Sequence, residues 1–269
     1  MTVATLRGAR VLLTGATGGI GQAIGRRLSR EGARLVLTAR RGELLAVLAD
    51  ELGAQALSAD LASREEVDRL LEAAGEIDVL IANAATPATG RLEALDQDRI
   101  DRAIEVNLRA PAALARGLVP GMAARGNGHL VFIGSLSGKA ANAGSSVYNA
   151  TKFGLRGFAL ALRDELAPAG IGVSLVAPGF VSEAGMFAKT GVTLPRGLST
   201  RTPEQVADAV VRAILEDRGE LEVAALTMRV GADIASLAPG LAARASRVLG
   251  GERLALELER RRRAGSPRR

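Results

Sequence analysis

Along this chain of 269 residues the hydrophobic positions change their spacing in a regular succession. Residues 9–14, Ala-Arg-Val-Leu-Leu-Thr, form a short apolar run ending in glycines, after which Ile20, Ala23, Ile24 and Leu28 recur at helical spacing as far as Gly32. A short unbroken run closed by turn residues reads as a buried strand, and recurrence every three to four residues as an amphipathic helix. The succession continues with strands at 33–38, 55–58, 77–82, 129–133 and 171–176. Helices are expected near 42–52, 63–74 and 97–124. Another starts at Ser145 or Ser146, either of which can cap it, carries an apolar stripe at Leu155, Phe158, Leu162 and Leu166, and stops near Pro168 and Gly170. Thr202-Pro203-Glu204 opens a further helix, with proline at its start. Strand, helix, strand, helix implies a mostly parallel sheet of about seven strands with helices on both faces.

A chain of this length with 48% hydrophobic residues can bury one large α/β core but hardly two. The reading is a single domain over 1–259: a core at 8–220 and a C-terminal helical extension over 221–259, followed by a disordered arginine-rich tail at 260–269. In the extension Val223, Leu226, Val230, Ile234, Leu237 and Leu241, broken by Arg229, Asp233 and Arg244, indicate packed helix. Whether it serves as a lid over a hydrophobic substrate, a subunit contact or, with the tail, a membrane-surface foot stays open. Residues 180–201 have loop composition.

Charge and composition narrow the function. The net charge of +6 belongs to the tail, since residues 260–269 hold six arginines and no acid, and the rest carries 29 basic against 29 acidic residues. With aromatics at 2%, the chain has neither the spread of basic groups nor the stacking surface that nucleic-acid binding needs. Without cysteine there are no disulfides or thiolate metal sites, and the single His129 reads as structural, so no metal site is expected. No apolar run approaches the ~18 residues of a membrane span and no signal-like core stands at the N-terminus, which makes a cytoplasmic protein the expectation.

The candidate chemistry lies where strands end. Gly15-Ala16-Thr17-Gly18-Gly19-Ile20-Gly21 sits where the first helix begins, and the exposed N–H groups and dipole there favour a phosphate. Glycines also let the backbone approach a pyrophosphate without a Cβ clash. The second strand ends in Ala39-Arg40-Arg41, with no carboxylate for a ribose 2′-hydroxyl. Arg40 can instead pair with a 2′-phosphate through its planar fork, which favours NADP over NAD. The sheet is thereby read as a doubly wound Rossmann-type α/β fold that binds a dinucleotide.

Tyr148 and Lys152 stand four residues apart at a helix start and share a face. Two charges about 4 Å apart interact by roughly 4 kcal/mol at an intermediate dielectric, equivalent to about three pKa units. A phenol normally titrating near ~10 is thus brought toward neutral pH, as a general acid/base requires. An isolated pair of this kind is more often a surface contact. Here Tyr148 is the only tyrosine, and Lys139, Lys152 and Lys189 are the only lysines among 35 basic residues, so a tunable cation stands where the chain elsewhere uses arginine. Pro111 lacks the N–H that would bond to the carbonyl of Asn107, leaving that carbonyl able to hold a water. Gly134-Ser135 follows the fifth strand at its C-terminal end, where ligands bind in open α/β sheets.

Over roughly residues 8 to 220 these features resemble the short-chain dehydrogenase/reductase family. Thr14-Gly15 with Gly19 and Gly21 looks like its T-G-x-x-x-G-x-G cofactor turn, Asn83-Ala84 like the middle of its N-N-A-G motif, and Pro178-Gly179 like its nicotinamide-side turn. Ser135 stands thirteen residues before Tyr148, the family's spacing for catalytic serine and tyrosine, and Asn107 matches the asparagine of the catalytic tetrad. The resemblance implies that Tyr148 protonates a carbonyl oxygen as NADPH delivers hydride to its carbon and that Ser135 hydrogen-bonds that oxygen. Lys152 would bind the nicotinamide ribose, and Asn107 would anchor a proton-relaying water. It implies a cofactor site lined by Gly15, Thr17, Gly19, Ile20, Gly21, Arg40, Asp60, Leu61, Asn83, Ala84, Tyr148, Lys152, Pro178, Gly179 and Val181, with Asp60 on the adenine. It further implies a homodimer or homotetramer formed through the two long helices.

Ala82 and Ala85 replace the first asparagine and the glycine of the N-N-A-G motif, and Glu183 stands where a threonine often contacts the carboxamide. Because an ionised carboxylate only accepts hydrogen bonds, Glu183 is expected to point away from the nicotinamide and leave the carboxamide to the backbone at Val181. The functional expectation is an NADP(H)-dependent oxidoreductase interconverting a carbonyl and a secondary alcohol on a fairly apolar small molecule. The alternative is a silent dinucleotide sensor or scaffold of the same fold.

Overall fold

A computed structural model of the chain describes Val3, residues 5–182, residues 199–240 and Arg244. Glu183, Lys189, Leu241 and the tail at 260–269 lie outside the described residues. Strands β1 (Arg10–Thr14), β2 (Arg34–Ala39), β3 (Gln55–Ser58), β4 (Val79–Ala82), β5 (Gly128–Ile133), β6 (Ile171–Pro178) and β7 (Glu220–Val223) form one sheet in the order β3-β2-β1-β4-β5-β6-β7, every neighbouring pair parallel. Between them run α1 (Gly19–Arg30), α2 (Gly42–Leu52), α3 (Arg64–Ala74), α4 (Gln97–Ile104), α5 (Ala110–Arg125), α6 (Ser146–Leu166) and α7 (Pro203–Leu215), and α8 (Leu226–Leu237) follows β7. The expected doubly wound α/β architecture is present.

Period-two alternation sorts the strands onto two cores. Val11 and Leu13 of β1 pack with Ile24 and Leu28 of α1, Leu45 of α2 and Val210 of α7. Leu12, between them, faces the opposite way, toward Val67 of α3, Leu114 of α5 and Leu155 of α6. Both faces being covered, central strands such as β4 and β5 are buried throughout and carry apolar runs rather than alternation. Each fully buried Leu, Ile or Val contributes roughly 1.5–3 kcal/mol. From β1 the sheet grows outward to β2 and β3 on one side and to β4 through β7 on the other. The connections therefore diverge at the C-terminal ends of β1 and β4 and leave a crevice there.

Two expectations are corrected. The 97–124 segment is α4 and α5 joined by a π-helical turn over Glu105–Arg109, in which the Ala110 N–H reaches back to the Glu105 carbonyl. Pro111, without an N–H, stands just past this widened turn. The helical extension expected from 221 begins instead as β7, whose Glu220, Leu221, Glu222 and Val223 alternate as an edge strand should. Its α8 does not bury the expected stripe: Leu226, Val230, Ile234 and Leu237 are exposed. Ala232 and Met228 pack inward with Leu136, Ala140 and Ala224. In this rotation Asp233 pairs with Lys139 and Arg229 with Glu222. Among the described residues no helix is long and apolar enough to cross a membrane.

Candidate active site

The glycine turn is built by close backbone approach. Gly15 has φ +64°, and a Cβ there would stand 2.7 Å from Ala84 Cα. At Gly21 a Cβ would stand 2.3 Å from the Gly15 carbonyl oxygen, so no side chain fits without moving the turn. Helix α1 starts at Gly19 behind Gly18, with no side-chain cap on its first N–H groups, which leaves donors for an anion. The loop after β4 is tied onto this turn: Asn83 Nδ2 donates to the carbonyls of Thr14 (3.0 Å) and Gly15 (3.2 Å), and the Asn83 and Ala84 N–H groups both donate to Thr14 Oγ1. Thr17, Ile20 and Gly19 lie in the same turn.

Arg40 is exposed at the end of β2, and its neighbour Arg41 donates through Nη2 to the Thr17 carbonyl. Asp60, just after β3, is gripped by Arg102 Nη2 at 2.8 Å from both carboxylate oxygens and accepts from the Ala62 N–H. Burial opposes its charge, but those hydrogen bonds outweigh it, with help from the positive charges of Arg102 and Arg40, and hold its carboxyl below the usual range. Its neighbour Leu61 is buried.

On the other side of the crevice, α6 carries Tyr148 and Lys152 on one face, both buried. Phe158 of α6 meets Phe132 of β5 edge to face with centroids 5.6 Å apart, and this fixes the helix against the strand that leads to Ser135. Lys152 Nζ lies 5.8 Å from the Tyr148 ring centroid and donates to the Ile133 carbonyl at 2.8 Å. Burial pulls its pKa down to about 8. Ser135 Oγ accepts from the Ser137 N–H at 3.1 Å, which orients the oxygen and leaves its hydrogen to be donated. Ser145 caps α6 through its backbone carbonyl, to the Asn149 N–H, rather than through its hydroxyl.

Asn107 sits in the π-helical turn, 1% exposed. Its Oδ1 accepts from the Thr86 N–H, and its Nδ2 donates to the Thr86 carbonyl and to Thr151 Oγ1, which in turn donates to the Tyr148 carbonyl. Pro178 closes β6 and Gly179 donates to the Val223 carbonyl, while Val181 bridges to Arg201. Thus β7 fixes the Pro178-Gly179 turn. Thr86, Thr151, Arg41 and Arg102 were missed in the sequence; they act through partners distant along the chain, and only Arg41, beside Arg40, carries a local signal. His129 is buried with Nε2 2.8 Å from Ser174 Oγ, and burial drives its pKa down to about 4, a neutral structural imidazole as expected.

A glycine turn opening onto a helix N-terminus at the point where strand order reverses is the arrangement of dinucleotide-dependent α/β oxidoreductases. Residues 9–193 match the family model described as short chain dehydrogenase, and the chain belongs to this family of oxidoreductases. A relative named ketoacyl reductase HetN, from Nostoc sp., is 38% identical over 228 residues, covering 81% of this chain and 79% of that protein. A solved short-chain dehydrogenase from Sphingobium yanoikuyae in complex with NADPH superposes with a TM-score of 0.72 at 31% identity, covering 80% of this chain and 87% of that one. A variant actinorhodin polyketide ketoreductase with NADPH gives a TM-score of 0.74 at 31% identity, covering 83% and 98%.

Proposed function

We propose that this protein is an NADPH-dependent carbonyl reductase, or in reverse an alcohol dehydrogenase, acting on a fairly apolar ketone or acyl chain. The observation that carries the reading is the buried Tyr148–Lys152 pair on α6, beside the strand that ends at Ser135. The residues present fit a dinucleotide: Gly15 and Gly21 let the turn close backbone against backbone at the start of α1, and the first N–H groups of that helix carry no side-chain cap. Gly15, Thr17, Gly19, Ile20 and Gly21 would hold the pyrophosphate, Asp60, Leu61, Asn83 and Ala84 the adenosine side, and Pro178, Gly179 and Val181 the nicotinamide. Arg40, with Arg41 beside it and no acid at Ala39, would take a 2′-phosphate, and the NADPH-bound neighbours support that preference.

When bound, the cofactor supplies hydride to the carbonyl carbon. Tyr148 gives its phenolic proton to the carbonyl oxygen, and Ser135 donates a hydrogen bond to the same oxygen, where negative charge grows. Lys152 would bind the nicotinamide ribose, and its ammonium would stabilise the phenolate left behind. Asn107 positions α6 through Thr151, and its main-chain carbonyl anchors a water that returns the proton. Pairing through α4–α5 and α6 would make a dimer or tetramer of closed symmetry, and light scattering that gives a monomer at micromolar concentration rejects it. The decisive assay follows NADPH absorbance across a panel of ketones of increasing size. Turnover supports the reading, whereas cofactor binding without turnover on any carbonyl favours a nucleotide sensor.

A further inference from the structure

Four residues after Ser135, Lys139 is the centre of an ionic cluster that the reaction does not use. Its side chain is 11% exposed, and its Nζ lies 2.6 Å from Glu222 Oε1, 3.0 Å from Asp233 Oδ1 and 3.7 Å from Glu220 Oε2. Arg156, one turn beyond Lys152 on α6, grips Glu220 with two hydrogen bonds, and Arg229 of α8 pairs with the other oxygen of Glu222. Three cations and three carboxylates thus join α6, the turn after β5, edge strand β7 and α8. Glu220 and Glu222 face this cluster together because they are two apart on a strand.

The turn between Ser135 and Lys139 is held from both sides. A Cβ at Gly138 would stand 2.7 Å from the Lys152 carbonyl oxygen, so the turn rests directly on α6. Opposite, Leu136 packs with Ala224, Met228 and Ala232. A Cβ at Gly179 would stand 2.9 Å from Ala224 Cβ, 3.1 Å from Met228 Cε and 3.5 Å from Leu136 Cδ1. Met228 and Leu136 therefore meet over the Pro178-Gly179 turn.

We propose that Lys139 is a positioning residue: it latches α8 and β7 onto the Ser135 turn, holding the Ser135 hydroxyl in place and making Met228 and Leu136 an apolar wall over Gly179 that selects the substrate. The proposal rests on the carbonyl-reductase reading. Partly buried and bound to three carboxylates, the ammonium holds its partners more firmly than a surface pair, and removing it leaves Glu222 buried with only Arg229.

The test compares purified wild type, Lys139→Met, Lys139→Arg and Asp233→Asn. NADPH affinity is read by fluorescence, and kcat and KM on linear 3-keto esters of increasing chain length. Lys139→Met is expected to lower kcat about tenfold, raise KM for the longest esters more than for the shortest, and leave NADPH affinity within twofold; Lys139→Arg restores most of the loss. Asp233→Asn, at the exposed rim, keeps the protein folded if Lys139→Met does not fold, and shifts KM in the same chain-length-dependent sense by two- to threefold. Unchanged kcat and KM in both, or equal losses in turnover and NADPH binding, overturn the proposal. Should wild type bind NADPH yet reduce neither these esters nor any ketone of the panel, the reductase reading fails separately. The latch is then decided by hydrogen exchange: faster exchange at 136–140 and 226–237 in Lys139→Met, with β1–β4 unchanged, supports it, and unchanged exchange overturns it.

Discussion

On the side of the crevice built from β1, β2 and β4, main-chain groups and short side chains close the turn itself, with Arg41 reaching in to the Thr17 carbonyl: Ala84 stands against Gly15, Gly21 against the Gly15 carbonyl, and Asn83 spans two carbonyls. On the side built from β5, β6 and β7 the corresponding fastening comes from long side chains, with Lys139, Arg156 and Arg229 joined to Glu220, Glu222 and Asp233. The first side packs backbone on backbone by omitting side chains, and its uncapped α1 N–H groups are the same donors whatever the substrate. The second tunes an apolar wall, and its charges allow α8 to be set at a chosen angle. A cofactor common to many reactions suits the first construction, and a variable substrate the second.

The largest effect expected on this comparison comes from the substrate side. Tyr148→Phe removes the proton and not the contacts of Lys152, and should lower kcat by the 10²–10⁴-fold typical of a general acid, with NADPH affinity nearly intact. Turnover retained in the purified variant would remove Tyr148 from the chemistry. On the cofactor side, Arg40→Ala should weaken NADPH relative to NADH by about 1.5–3 kcal/mol, the value of a hydrogen bond to a charged group. Equal losses for both, measured by titration, would show that Arg40 does not read the 2′-phosphate.

Gly21→Ala probes the backbone contact itself. The added methyl would stand 2.3 Å from the Gly15 carbonyl oxygen, against main chain that cannot swing aside, and should cost about 1–3 kcal/mol in cofactor affinity and fold stability together. A variant that binds NADPH as wild type does would show that the turn yields freely.

The remaining effect is on stability rather than on turnover or cofactor affinity, and it concerns Lys152. Its folded pKa of about 8 is below the ~10.4 of an unfolded lysine, so between those values the unfolded chain holds more protons and stability rises with pH. The penalty of burying the ammonium is present below pH 8 and relieved above it. In the cofactor-free protein, thermal melts of wild type and Lys152→Met should show wild type gaining on the variant between pH 8 and pH 10, and a constant difference would mean the amine stays charged.

Much of this was legible along the chain because it is local. The glycine turn, Ser135 at a strand end and the four-residue spacing of Tyr148 and Lys152 each lie within one element or its boundary, where spacing alone sets geometry. The apolar stripe of α6 likewise packs as its period implies. The partners of Asn107 were not legible, since Thr86 and Thr151 stand 21 and 44 residues away. Nor was the Arg102 grip on Asp60, across 42 residues.

The C-terminal part marks the boundary between the two kinds of information. By itself the sequence determined strand and helix, the doubly wound order and the glycine turn, because hydrophobic period and glycine sterics act on neighbouring residues. It also contained the alternation Glu-Leu-Glu-Val of β7, but four residues are too short a run to outweigh the helical spacing of the apolar residues that follow. Only the tertiary structure decided that β7 pairs with β6 and that α8 turns Met228 and Ala232 inward. Which face of an amphipathic helix is buried depends on what lies across from it, and here that is Lys139, 94 residues from Asp233.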